Sequence, residues 1–211
     1  LGSLWSSSGQ SSQQPFGSLR LPLRYLIGRG VDLGKSDTVT VVGYDSSAPP
    51  LSAQKGILVK YCNLFDEKGT GEYGPYLHSS STAKEYSEGQ IDPSGPGWEV
   101  NAHLQMARAQ RQGFSIIELD NPDAYRTRDV LRILDLTPLY GLKVLAKNPS
   151  LCNDPVSYIR HPAIVGAIVE KNSGTKAQAD QLKKHKDIPF WFVSHDPRKP
   201  EYTQDISFPC Y

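Results

Sequence analysis

The sequence predicts an α/β fold, a compact (β/α)8 barrel of the TIM type, on three observations. Short β-rich runs recur along the chain, segments with helical spacing or Gly/Pro/Ser-rich loops separate them, and several runs are almost continuously apolar.

The runs lie at 24–28, 38–44, 57–63, 115–120, 143–147, 164–170, 190–194 and 206–210. A strand buried on both faces of a parallel sheet has no polar side to show, and Ile164-Val165-Gly166-Ala167-Ile168-Val169 reads that way. Crossover helices are predicted at 101–112, 126–140 and 175–186. In the second of these, Val130, Leu131, Ile133 and Leu134 recur at helical spacing, and Gly141 supplies the stop. Strands in that number, alternating with helices, select a barrel over a doubly wound sheet. The length of 211 residues is near the bottom of the range for barrels, roughly 200 to 400. Helices between the early strands are therefore expected to be short or missing. Residues 69–97 form a long Gly/Ser/Tyr/Pro-rich connection with little periodicity, expected to overhang the binding face.

An apolar content of 38% over this length suits one core, so 21–211 is read as a single domain preceded by a flexible Ser/Gln-rich segment at 1–20. Lys and Arg (23) nearly balance Asp and Glu (22). No long-range field then favours nucleic acid or an anionic membrane. No apolar run approaches the roughly 18 residues that a span requires, and the start lacks the basic-then-apolar pattern of a secretion signal. Cys62, Cys152 and Cys210 have no zinc-ligand spacing, and Gly28-Arg29-Gly30 lacks the rest of a dinucleotide fingerprint. Neither metal nor cofactor is expected. An odd cysteine count fits one disulfide and a free thiol, or three reduced thiols, and leaves compartment and pairing open.

The chemistry concentrates in Glu118-Leu119-Asp120-Asn121-Pro122-Asp123. Residues i and i+2 of a strand share a face, so Glu118 and Asp120 point inward when Ile117 and Leu119 point to the helices. Carboxylates at the C-terminal mouth of a barrel are costly to desolvate unless used or paired. Glu118 has inward pairing candidates in Lys60 and Lys147, and Asp123 is read as the cap of a helix starting near Tyr125. Other strand ends repeat the theme with Asp45, Asn63, Asn148 and Glu170. Glycoside cleavage needs two carboxyl groups flanking the bond, and acids on different strands, such as Asp120 and Glu170, straddle a sugar more readily than neighbours on one strand. Tyr44, Tyr61, Tyr73, Tyr76, Trp98, Tyr125 and Trp191 are candidate stacking surfaces for sugar rings. His161 and His185 are read as surface residues, and His195 as a strand-end residue.

Residues 112–125, QGFSIIELDNPDAY, resemble the GF-(D)-GVE-x-DN-x-D-x-Y signature of glycoside hydrolase family 114, the endo-α-1,4-polygalactosaminidase-like barrels. Flanking segments agree in order. VVGYD at 41–45 resembles that family's early strand, GILVKY at 56–61 its G-x-x-V-I-C-Y strand, and GLKVLAKN at 141–148 its G-L-x-V-x-x-K-N strand. The likeness extends over 41–196. Where the family often carries a Glu pair, this chain has Glu170 followed by Lys171. The resemblance implies hydrolysis of an amino-sugar polysaccharide, with Asp120 as nucleophile or charge stabiliser and Glu170 as acid/base. Asp45, Tyr61, Trp98, Glu118, Asn121, Tyr125 and Asn148 are the expected substrate-binding residues. It also favours export, and leaves a non-catalytic carbohydrate-binding barrel as the alternative.

Overall fold

A computed structural model of the chain describes residues 23–26, 39–42, 57–64, 90–170 and 176–193. They form one parallel sheet whose strands are ordered as in the sequence: β1 (Leu23–Leu26), β2 (Val39–Val42), β3 (Ile57–Asn63), β4 (Ile116–Asp120), β5 (Lys143–Lys147), β6 (Ile164–Glu170) and β7 (Phe190–Val193). Each strand pairs with the next. The helices are α1 (Pro96–Arg111), α2 (Thr127–Leu134), α3 (Pro155–Arg160) and α4 (Lys176–Lys183). Parallel strands cannot be joined by tight turns, and α1 to α4 are the crossovers that carry the chain back between successive strands from β3 onward. The expected strand at 206–210, and the connections among β1, β2 and β3, lie outside the described residues.

Strand alternation divides the core into two layers. Leu23, Val39, Val41, Val59, Ile116, Leu145, Ile168, Trp191 and Val193 form a cluster to which every described strand contributes and no described helix does. Ile117, Leu119, Val144, Ala146, Ile164 and Ala167 face the other way, against Trp98, Ala102, Met106, Val130, Ile133, Tyr158 and Ile159 of α1, α2 and α3. Between Val144 and Leu145 the register with β6 shifts by one residue. Gly166 follows that irregularity, and a Cβ there would lie 2.7 Å from Trp191 Cζ3 and 2.9 Å from Leu145 Cδ2.

Two helix predictions need correction. α1 begins at Pro96, earlier than the apolar spacing indicates, because Gly95 takes the N-cap, Pro96 the first position, and Glu99 the first turn. The end of the long Gly/Pro-rich stretch is thus ordered, with Ile91 fully buried, while 65–89 lie outside the described residues. The helix expected at 126–140 stops at Leu134 and resumes as a short 3-10 turn at Thr137–Tyr140. Pro138 cannot continue an α-helix, and the Thr137 hydroxyl donates to the Leu134 carbonyl, 2.7 Å, at the break. α3 was not foreseen, being a single apolar stretch too short to show a period. Asp154 caps it by accepting from Ser157 N at 3.1 Å, and Pro155 opens it.

Candidate active site

Because the sheet is parallel, the C-terminal ends of β3 to β6 meet along one edge. Cα pairing sets Asn63 opposite Asp120 and Tyr61 opposite Glu118. Tyr61 packs on the strand-only cluster, so Tyr61, Asn63, Glu118 and Asp120 share its face. Lys60 lies on the opposite face, its ammonium 5.9 Å from the centre of the Phe114 ring. Of the two lysines that could serve Glu118, the fold brings Lys147 to it.

The Lys147 ammonium sits among three carboxylates. It lies 3.1 Å from Asp120 Oδ1 and 3.2 Å from Glu170 Oε1. Its side chain is 12% exposed, that of Asp120 14% and that of Glu170 20%, so this is a recessed cluster with a solvent-facing side. Burial alone would lower the ammonium's pKa. The charges of Glu118, Asp120 and Glu170, with the hydrogen bond to Asp120, outweigh that and hold it above the usual lysine range. Glu118 is fully buried beneath. Asp123 stands at the exposed rim, its carboxyl raised above its usual range chiefly by partial desolvation, with Asp120 and Glu170 adding and Lys147 opposing.

Each acid is also fixed by neutral donors. Asp120 Oδ2 accepts from the Tyr61 hydroxyl at 2.5 Å, and its Oδ1 from Asn121 N at 2.9 Å. Glu170 Oε2 accepts from Asn148 Nδ2 at 3.0 Å, while Glu170 N donates to Asn148 Oδ1 at 2.8 Å. The two asparagines occupy matching places. Each follows a strand, precedes a proline that opens a 3-10 turn, and has left-handed backbone, φ 60 for Asn121 and φ 46 for Asn148. Asparagine tolerates that region better than other non-glycine residues, and a following proline disfavours the right-handed helical alternative.

Behind Asp120 runs a chain of amides in which Asn101 and Gln105 are additions to the residues expected from the sequence. Asn121 Nδ2 donates to Asn63 Oδ1 at 2.7 Å, and Gln105 of α1 grips the Asn63 backbone, accepting from its N at 3.0 Å and donating to its O at 2.5 Å. Gln105 also donates to Asn101 Oδ1 at 3.0 Å. The polar Asn101 and Gln105, four residues apart on an otherwise apolar helix face, were the available signal.

The expected site residues divide accordingly. Asp120, Glu170, Tyr61, Asn121, Asn148 and Glu118 come together, although Glu118 has no surface to offer a ligand and acts beneath the cluster. Trp98 and Tyr125 do not join them. Trp98 is 1% exposed in the helix layer, donating to the Asp129 carbonyl at 3.1 Å, with Tyr125 packed against it at 4.3 Å between ring centres. The Tyr125 hydroxyl accepts from Ile91 N and donates to the Leu64 carbonyl. Trp191 is likewise buried, in the strand-only cluster. Aromatic type alone does not distinguish a stacking surface from a core ring. Asp45, Tyr44, Tyr73, Tyr76 and His195 lie outside the described residues. Asp123 does not cap α2: Arg126 holds the N-cap position, and Asn153 Oδ1 accepts from Thr127 N at 3.0 Å. His161 is mostly enclosed, its Nε2 3.1 Å from Asp135 Oδ1 and its Nδ1 accepting from Ala163 N. Cys62 and Cys152 are buried free thiols, and burial foremost pushes the Cys152 thiol up to about 12.

No protein-family profile and no curated protein matches the chain. Solved structures do. A glutamate-to-alanine variant of the glycoside hydrolase domain of PelA from Pseudomonas aeruginosa superposes with a TM-score of 0.63 at 12% identity, over 84% of this chain and 85% of that one. The unsubstituted PelA domain gives 0.60 at 13% identity, over 85% and 86%. Ega3 of Aspergillus fumigatus, in complex with galactosamine, gives 0.61 at 11% identity, over 90% and 83%. The chain thus shares the fold of these structures, two of which are the glycoside hydrolase domain of PelA.

Proposed function

We propose that the protein is a glycoside hydrolase cleaving an amino-sugar polysaccharide, with α-1,4-linked galactosamine as the candidate polymer, through the carboxyl pair Asp120 and Glu170. The sheet is inferred to close as a barrel around its strand-only cluster, with the cleft at the C-terminal edge. Support comes from the shared fold, from the galactosamine bound in one structural neighbour, and from one observation above all. A single ammonium touches a carboxylate oxygen of each acid, at 3.1 Å and 3.2 Å. Two oxygens sharing a tetrahedral donor at hydrogen-bond distance lie roughly 5 Å apart. Retaining glycosidases space their acids by about 5 to 5.5 Å, and inverting ones by about 6.5 to 9.5 Å.

The reaction follows as a double displacement. Asp120, held by donors from Tyr61, Asn121 and Lys147, attacks the anomeric carbon. Glu170 gives a proton to the departing glycosidic oxygen as that carbon–oxygen bond breaks, leaving a glycosyl ester on Asp120. Water then attacks the same carbon and passes a proton to Glu170, and Asp120 departs as carboxylate. The test is turnover of a polymer panel that includes α-1,4-galactosaminan, with the first-formed anomer read by proton NMR. The α anomer is expected. A β first product would overturn the double displacement, and an inactive protein that still holds intact oligosaccharide would replace the hydrolase with a binding module.

A further inference from the structure

Lys147 has no part in the bond changes just described, yet it stands at the centre of the groups that make them. Glu118 and Asp120 face it from β4, Glu170 from β6 and Asp123 from the turn after β4. The Tyr61 ring lies 5.8 Å from it on β3. Its contacts with Asp120 and Glu170 join acids from strands that are not neighbours in the sheet, β4 and β6, across β5. No backbone pairing fixes those two side chains relative to each other. The ammonium does so, at an exposure low enough that water substitutes for it poorly.

We propose that Lys147 is the positioning residue of this site: one ammonium, in the field of the buried Glu118, holds Asp120 and Glu170 at working separation and balances their charge. This rests on the reading of Asp120 and Glu170 as the reacting pair. Two roles follow from the same contact. Lys147 fixes spacing, and its positive charge offsets the repulsion between the two acids. Removing it should shift activity along the pH axis as well as reduce it. A residue that only stabilised the fold would lower the amount of folded protein without moving that axis.

The experiment compares wild type with Lys147→Met, which keeps length and loses charge, and Lys147→Arg, which keeps charge. Two readouts are taken: the pH profile of kcat/KM on α-1,4-galactosaminan, and the pH titration of the Asp120 and Glu170 carboxyl carbons by NMR, which needs no substrate. For Lys147→Met, which loses the positive charge beside both acids, the profile is expected to move to higher pH with the carboxyl titrations following it, and kcat at the new optimum to fall by about 10-fold or more. Lys147→Arg should restore the titrations most of the way. Should Lys147→Met leave Glu118 uncompensated and fail to fold, the Glu118→Gln/Lys147→Met pair removes both charges and carries the same measurements. A wild-type profile with wild-type carboxyl titrations in the charge-free variant would overturn the proposal. Turnover absent from wild type would sink the hydrolase reading instead, and the carboxyl titrations would still decide the role of Lys147.

Discussion

Asn121 and Asn148 show how much rests on one residue type at one position. Each is placed where a strand ends and the backbone must adopt positive φ, and each then turns its amide onto a partner: Asn121 onto Asn63, Asn148 onto Glu170. The Asn-Pro repeat is visible in the sequence, and the strand-end position was legible. The amide partners were not, because they are set by the αL turn and by a neighbouring strand. Backbone and side-chain roles can be separated at Asn148. Asn148→Gly keeps access to φ > 0 and loses the donor to Glu170, so its stability should stay close to wild type while turnover falls by about 10-fold or more. Asn148→Ala loses both, and should cost a further 1 to 2 kcal/mol or so in urea unfolding. Equal stability of the two variants would show that the αL conformation carries no cost there.

At the scale of elements, the predicted bounds of β3, β5 and β6 match the observed ones, since an apolar run bounded by polar residues is a local signal. The parity of β4 was equally legible, because alternation needs only the direction of one side chain. What escaped was set by chain geometry elsewhere. The start of α1 depends on a Gly-Pro cap, the end of α2 on Pro138, and the burial of Trp98 on packing against Tyr125 from another element. From the sequence, Lys147 is legible only as a pairing option for Glu118. That it spans two further acids follows from the order of strands, which pairs β4 and β6 with opposite sides of β5. The bulge in β6 makes its own prediction. Gly166→Ala would drive a methyl group into Trp191 and Leu145, both buried, and overpacking of this kind typically costs about 1 to 3 kcal/mol. Chemical denaturation measures it, and an unchanged midpoint would mean that the strand-only layer has slack.

For the whole molecule, the decisive feature is that, among the described residues, one face of the sheet packs a cluster drawn from strands alone, with a charged layer set above it at the C-terminal edge. That layer should register in stability as well as in catalysis. The Lys147 ammonium is held above its ordinary value of 10.5. Its contribution is therefore fully present below that pH and is lost as pH rises through the higher folded value. The melting-temperature gap between wild type and Lys147→Met should be flat from about pH 7 to 10 and shrink in more alkaline buffer; a gap that grew there would reverse the sign of the coupling. The account as a whole stands on Asp120 and Glu170 being the reacting pair. Asp120→Asn and Glu170→Gln keep side-chain shape, so each should melt close to wild type, within about 1 kcal/mol. The most direct measurement is reducing-end release from α-1,4-galactosaminan by these two variants beside wild type. The prediction is release by wild type, with each variant reduced by about 10² to 10⁴ or more. Wild-type release from folded Asp120→Asn or folded Glu170→Gln would contradict it.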